Sequence, residues 1–172
     1  GVVEALMSRD PKRFLSTIEF FPEEGKYHLD GHRQCQVRLF PGETRKRKGL
    51  CPVCGKKLTI GVLHRVDALA DREERAVPTG AIPAKHVLPL EEVIAAAYGQ
   101  KPNTKKVTAE YDRLVKLYGS ELAILLERTE RELAEHAPPR ILEGVVKVRH
   151  GAVNITPGYD GEYGKITLFE DG

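Results

Sequence analysis

Apolar residues recur at helical spacing through the second half of the chain. The clearest case is a set of apolar and aromatic positions that share one helical face: Val107, Tyr111, Leu114, Val115 and Tyr118. Gly119 follows them and is expected to end that helix, because glycine readily adopts the left-handed conformation found at helix C-termini. The pattern predicts a mostly helical second half.

Proline, glycine and capping residues mark the other helix boundaries. Pro89-Leu90-Glu91-Glu92 is typical of a helix start, and Gly99 is expected to stop that helix. Thr129 and Glu132 have the spacing of a capping box before a further helix. Pro138-Pro139 then restarts the chain into a helix predicted over residues 140–150.

Shorter apolar runs predict strands. They lie at residues 15–21, 26–29, 37–40 and 57–60, and a terminal hairpin is predicted from residues 153–156 and 165–169. Pro41-Gly42-Glu43 is expected to begin a connecting loop, and a short helix is expected from His64 to Asp71. The first half is therefore expected to be built from small β elements.

All three cysteines of the chain lie in one segment, in a pattern typical of metal ligands. His32 and Cys35 are separated by two residues, and so are Cys51 and Cys54. Zinc prefers four such ligands in a tetrahedron, and each short pair can present both of its side chains to one ion from a tight turn. The pattern predicts one structural zinc ion bound by His32, Cys35, Cys51 and Cys54.

Other interpretations of these residues remain open at the level of sequence. His28 lies four residues before His32 and could supply the fourth ligand, although the spacing to Cys35 favours His32. Cys51 and Cys54 could alone form a redox pair, but Gly55-Lys56-Lys57 suits a zinc-binding turn better than the start of a helix. Disulfides are not expected, because three cysteines cannot all pair within one chain and no signal peptide is expected before them.

The predicted fold class is α+β: a small zinc-ribbon-like β module followed by a helical domain with a C-terminal β-hairpin. Residues 1–25 do not form a domain of their own, since one strand and a short helix cannot bury their own faces. We expect them to belong to an upstream domain. The zinc-binding module is expected over residues 26–75, and the helical domain over residues 76–172.

Composition and charge separate the two parts further. The chain has 172 residues, 41% of them hydrophobic, and no apolar run long enough to cross a bilayer, so a soluble, cytoplasmic protein without a membrane partner is expected. Its net charge is +2, yet ten Lys and Arg residues lie between Lys26 and Val66 against two acidic residues. A basic module is thus predicted beside an acidic one.

A run of four cations makes DNA the expected partner of the basic module. Arg45, Lys46, Arg47 and Lys48 are consecutive, and nucleic-acid phosphates would relieve their mutual repulsion. The other candidate DNA contacts are Arg33, Lys56 and Lys57. The plainer interpretation is a solvated loop, which would leave the zinc module as a structural interaction domain without a role in nucleic-acid binding.

The sequence contains no convincing active site of its own. It has neither a phosphate-binding glycine loop nor a nucleophile elbow, and its remaining histidines are scattered one per predicted element. Tyr159 and Tyr163, among glycines, could stack on a nucleobase or cover the edge of a core. No catalytic residue is therefore predicted.

Four segments together resemble the endonuclease Q family: residues 17–35, 51–56, 69–72 and 157–164. The resemblance implies an upstream polymerase-and-histidinol-phosphatase (PHP) domain carrying a catalytic metal cluster, followed by a zinc module and a helical region. Characterised members nick DNA 5′ to deaminated bases such as uracil and hypoxanthine. The residues of that metal cluster have no counterparts here, so the resemblance implies the C-terminal portion of such an enzyme, inactive alone.

Overall fold

A computed structural model describes residues 1–72 and 76–169, and it confirms the predicted α+β class. The helices are α1 Val2–Ser8, α2 Pro41–Lys46, α3 Val62–Leu69, α4 Leu90–Tyr98, α5 Lys105–Tyr118, α6 Glu130–Ala134 and α7 Pro139–Arg149, with a π-helical turn at Ala123–Glu127. The strands are β1 Thr17–Phe20, β2 Asp30–His32, β3 Val37–Leu39, β4 Ala84–Val87, β5 Asn154–Thr156 and β6 Lys165–Thr167. They form two-stranded sheets that pair β1 with β4, β2 with β3, and β5 with β6.

The chain forms two compact units. The first, which we call the cysteine unit, comprises Gly1–Thr17, Phe21–Ala84 and Ile155–Ile166. The second, the helical unit, comprises Ile18–Phe20, Lys85–Asn154 and Thr167–Gly172. The division into residues 1–25, 26–75 and 76–172 stays a prediction, and one of its boundaries, Arg75, lies outside the described residues.

Local sequence signals account for the helices of the helical unit. Gly99 has a φ of 61° and ends α4, as predicted. The Thr129 hydroxyl accepts the Glu132 N–H at 3.2 Å, while the Glu132 carboxylate accepts the Thr129 N–H at 2.7 Å. This reciprocal pair is the predicted capping box, which satisfies two backbone donors that a helix start leaves unpaired.

The core of the helical unit lies between α4, α5 and α7. Its most deeply buried side chains are Leu90, Val93, Ile94, Val107, Leu114, Ile124, Leu133, Ile141 and Val145. A Cβ added to Gly144 of α7 would lie 2.8 Å from Val93 Cγ1, which shows how closely α7 approaches α4. In the described residues, none of the helices has the length and apolar character needed to cross a membrane.

In the cysteine unit, β3 confirms the strand predicted over residues 37–40, but the strands predicted over residues 26–29 and 57–60 are wrong. Residues 26–29 contain a turn, in which the His28 N–H donates to the Gly25 carbonyl at 2.9 Å, and strand β2 begins only after them, at Asp30. β2 and β3 are antiparallel, with Asp30 opposite Leu39. Residues 57–60 make only isolated bridges, from Lys57 to Leu50 and from Thr59 to Gly31.

The loop predicted after Pro41 is in fact helix α2. Proline suits the first helical turn, and the Glu43 carboxylate accepts the Phe40 N–H at 3.0 Å, so the start of the helix is capped. α3 also begins earlier than predicted, at Val62, because Gly61 is its N-terminal boundary. Both errors concern short helices, whose sequence periodicity is too brief to detect.

Candidate metal centre

The first half of the candidate centre is the turn between β2 and β3. β2 ends at His32, and a single 3-10 turn carries the chain through Cys35. Gln36 follows with a φ of 52°, which reverses the chain so that Val37 pairs opposite His32. The hairpin therefore places the side chains of His32 and Cys35 at the same end of the two strands.

The second half is a tight turn from Cys51 to Cys54. The Gly55 N–H donates to the Cys51 carbonyl at 2.9 Å, and the Cys51 N–H donates to the Lys56 carbonyl at 2.8 Å. Gly55 has a φ of 71°, a left-handed conformation that glycine adopts without steric cost. The turn was predicted from the Cys-Pro-Val-Cys-Gly pattern, and its geometry explains why the glycine follows the second cysteine.

The two turns bring four possible ligands together. One ligand atom each from His32, Cys35, Cys51 and Cys54 lies within 4.8 Å of all the others. His32 Nδ1 and Cys54 Sγ are 3.4 Å apart. These four residues can hold a metal ion. The group contains His32 and not His28, so four possible ligands are brought together without His28.

Backbone donors and neighbouring thiols give the cysteines different acidities. Burial raises the pKa of the Cys51 thiol, but hydrogen bonds from the backbone N–H groups of Cys54 and Val53, together with those from the Cys54 and His32 side chains, outweigh it and lower that pKa to about 6. Burial and the adjacent Cys54 and Cys51 thiols raise the pKa of Cys35 to about 11. Once one thiol has lost its proton, ionising a second thiol beside it is unfavourable unless a cation lies between them. A bound metal ion would supply that cation.

A buried carboxylate on β2 links the hairpin to the start of α3. Asp30 is 0% exposed, and its Oδ2 lies 2.6 Å from His64 Nδ1 on α3. Its Oδ1 accepts the Gly61 N–H at 2.7 Å. The sequence indicated no site role for His64, which was one of the scattered histidines, and none for Asp30. An acidic residue two positions before His32 was the one available signal.

A second carboxylate ties the loop at residues 157–164 to the candidate centre. Asp160 Oδ2 accepts the Arg33 N–H at 2.6 Å, and Asp160 Oδ1 accepts the Thr59 hydroxyl at 2.5 Å. Burial raises the pKa of Asp160, but these two hydrogen bonds outweigh it and leave the pKa below its usual value. Asp160 and Gly161 have φ values of 42° and 88°, so they form the tight turn expected from an Asp-Gly pair.

The predicted DNA contacts all lie on the surface of the cysteine unit. Arg45 and Lys46 belong to the last turn of α2, and the exposed residues Arg47 and Lys48 follow it. Arg33, Lys56 and Lys57 are exposed on the two turns that carry the candidate ligands. The Arg45 guanidinium is ion-paired with Asp67 of α3. The four consecutive cations are therefore not equivalent.

The comparisons with known sequences agree on a relationship to part of longer proteins. Residues 89–152 match the sequence model of a family described as the MJ0043 C-terminal domain. The chain is 34% identical over 156 residues to the uncharacterized protein MJ0043 of Methanocaldococcus jannaschii, covering 91% of this chain and 20% of that protein. It is 33% identical over 163 residues to the uncharacterized protein YqxK of Bacillus subtilis, covering 94% of this chain and 38% of that protein.

Solved structures of endonuclease Q share the fold. The structure of the lesion-specific endonuclease PfuEndoQ from Pyrococcus furiosus matches with a TM-score of 0.77 and 28% identity, over 89% of this chain and 38% of that one. An endonuclease Q complex with a 27-mer duplex substrate, which has an abasic lesion at the active site, matches with a TM-score of 0.71 and 27% identity over the same shares. This chain thus spans well under half the length of each protein it matches.

Proposed function

We propose that this chain is a zinc-stabilised, DNA-binding region of a longer endonuclease that acts on DNA containing deaminated bases. The observation that carries the proposal is the similarity to PfuEndoQ over 89% of the chain. Within such an enzyme the chain would be the C-terminal portion, and an upstream PHP domain of the same polypeptide would hold the catalytic metals. Because a thiolate site needs reduced cysteines, we place the protein in the cytoplasm.

The donor set supports zinc as the metal. Three thiolates and an imidazole are ligands that zinc favours, and four protein ligands close the coordination shell. A tetrahedral zinc with Zn–S bonds of about 2.3 Å and a Zn–N bond of about 2.0 Å separates its ligand atoms by about 3.5–3.8 Å. The separation of 3.4 Å between His32 Nδ1 and Cys54 Sγ is close to that value. A closed shell has no position for substrate, so the proposed role of zinc is structural.

The distribution of charge supports DNA as the partner. Seven cations are exposed on the cysteine unit close to the candidate ligands or along the run that joins their two turns: Arg33, Arg45, Lys46, Arg47, Lys48, Lys56 and Lys57. Cations gathered on one unit attract phosphates mainly through counterion release, without reading base sequence. The Arg45–Asp67 ion pair favours a partly structural role for Arg45. We therefore expect at most three phosphate contacts from the run of four.

Salt dependence provides the test of DNA binding. Replacing Arg45, Lys46, Arg47 and Lys48 by glutamine should reduce the slope of log Kobs against log salt by roughly two to three on duplex DNA, at about 0.9 per lost phosphate contact. Fluorescence anisotropy across a salt series measures both slopes. Weak, sequence-independent binding by the wild-type chain is expected.

A matched control separates a local effect from a change in net charge. Replacing four exposed lysines of the helical unit by glutamine removes the same charge, and those lysines are Lys85, Lys101, Lys105 and Lys116. The control should keep a slope within about one of the wild type. Equal loss of slope in both variants, or no binding by wild type at low salt, would favour a structural domain without a DNA role.

The isolated chain is expected not to cleave DNA. In the part of the chain that the structure describes, one group of three or more His, Cys, Asp or Glu side chains is placed to hold a metal, and it consists of the four candidate ligands. With all four bound, the proposed zinc has no open position for a substrate or a catalytic water. Incubation with uracil- or hypoxanthine-containing duplexes and magnesium or manganese should leave both strands intact. Cleavage that persists through repurification and disappears on Asp160→Asn or Glu162→Gln substitution would contradict this assignment.

A further inference from the structure

The structure separates the two tyrosines that the sequence could not distinguish. Tyr159 is 6% exposed, and its ring lies against Gly31, where an added Cβ would be 2.3 Å from Tyr159 Cδ2. The Arg38 guanidinium covers the same ring, 5.3 Å from its centroid. Tyr159 is therefore a packing residue. Tyr163, four positions later, is 76% exposed and needs another explanation.

Tyr163 is one member of an exposed aromatic pair that flanks a single ammonium group. The Lys26 Nζ lies 5.6 Å from the centroid of the Tyr163 ring and 5.8 Å from that of the Tyr27 ring. Tyr27 is itself 47% exposed. Two phenol rings and one cation thus share a patch of surface, which we call the Tyr27–Tyr163 platform and define by Lys26, Tyr27 and Tyr163.

Backbone hydrogen bonds hold the two segments of the platform together. The Gly161 N–H donates to the Lys26 carbonyl at 2.9 Å, and the Gly164 N–H donates to the Glu24 carbonyl at 3.0 Å. A Cβ on Gly164 would lie 2.1 Å from the Glu23 carbonyl oxygen, so the segments touch without room for a side chain. The rings are displayed on a preorganised frame, which lowers the entropy cost of binding a ligand.

The chemistry of the platform suits an unpaired nucleotide. Every nucleobase has a π face that can stack on an exposed aromatic ring, and an ammonium beside the rings suits the adjoining phosphate. Arg33 adds a second cation, because its Nη1 lies 3.7 Å from the Cβ position of Gly161 at the tip of the loop. The nearby Asp160 carboxylate is already occupied by the Arg33 N–H and the Thr59 hydroxyl, which limits its repulsion of an anion.

We propose that the Tyr27–Tyr163 platform binds unpaired DNA, with Tyr163 and Tyr27 stacking on nucleobases and Lys26 contacting the neighbouring phosphate. This inference rests on the proposed DNA-binding function and adds a preference for unpaired over paired strands. Exposed cations beside the rings favour a polyanion over an apolar peptide. In a duplex the base faces are covered by stacking, so a fully paired strand gains nothing from the two rings.

The first test measures the affinity of the full chain for an oligothymidylate single strand and for a fully paired duplex of equal length. Tyr163→Ala should weaken single-strand binding by about 5- to 100-fold and change duplex binding less than about twofold. Tyr163→Phe keeps the ring and should stay within about twofold of wild type on both probes. Unchanged zinc content and Tm establish that the variants are folded.

The second test uses a unique reporter, since the chain contains no tryptophan. Tyr163→Trp places one indole on the platform, and stacking should quench its fluorescence more with the single strand than with the duplex. Salt-sensitive duplex binding, combined with no single-strand preference and no selective quenching, would overturn the platform while leaving the proposed function intact. If wild type binds neither probe at low salt, both the platform and the proposed function are wrong.

Discussion

Replacing Cys51 by serine is expected to abolish metal binding and to unfold the cysteine-bearing part of the cysteine unit. The apolar cluster beneath the candidate ligands is small and consists of Val37, Leu39, Cys51 and Leu58, with Cys35 packed against it. In small zinc modules the metal contributes roughly 10–16 kcal/mol of apparent binding free energy at pH 7, and that binding energy is folding energy. Cys51 is both a buried member of the cluster and a candidate ligand, so its loss removes both contributions.

Zinc content and amide NMR spectra are the measurements. The wild-type chain should contain one zinc per chain, and Cys51→Ser should contain none and lose the dispersed amide signals of residues 30–60. The signals of α4, α5 and α7 should persist, because those helices are packed around their own buried side chains.

Val53→Ser is the matched control for this prediction. Val53 lies in the same turn between Cys51 and Cys54, but its side chain is exposed and offers no ligand in the native sequence. The control should retain zinc and a dispersed spectrum. Ordered signals from residues 30–60 in metal-free Cys51→Ser would contradict a structural role for the metal.

His64→Ala is expected to produce the second large effect, a loss of about 3 kcal/mol from the free energy of unfolding. The Asp30 carboxyl group is fully buried and its Oδ2 lies 2.6 Å from His64 Nδ1, so removing the imidazole leaves Oδ2 without that partner and leaves only the Gly61 N–H, on Oδ1. The value is at the lower end of the range for broken buried pairs, because His64 is partly exposed and water can enter beside it.

Urea-induced zinc release, followed with a chromophoric chelator, reports on the cysteine unit and so measures this loss. His150→Ala is the control, since His150 is an exposed residue at the end of α7 and should change stability by less than about 0.5 kcal/mol. A His64→Ala midpoint indistinguishable from that of the control would show that Asp30 does not depend on His64.

Features governed by neighbouring residues could be predicted from the sequence. α4, α5 and α7 lie where apolar spacing, proline and glycine placed them. The four candidate ligands were also predictable, because each pair lies within one short turn and its spacing determines which side chains can meet. Short elements were predicted less well. α2 was missed and β2 was misplaced, since a few residues carry too little periodicity to outweigh a cap or a turn.

The sequence by itself determined the α+β class, the main helices, the basic character of one segment and the set of candidate metal ligands. Only the tertiary structure decided which other side chains hold the ligand-bearing segments in place. Asp30 meets His64 from 34 residues away, and Asp160 meets Thr59 from 101 residues away. The tertiary structure also buries Tyr159, leaves Tyr163 exposed and pairs Arg45 with Asp67. The spacing of residues along the sequence does not predict these long-range contacts, because they depend on how distant segments of the chain pack together.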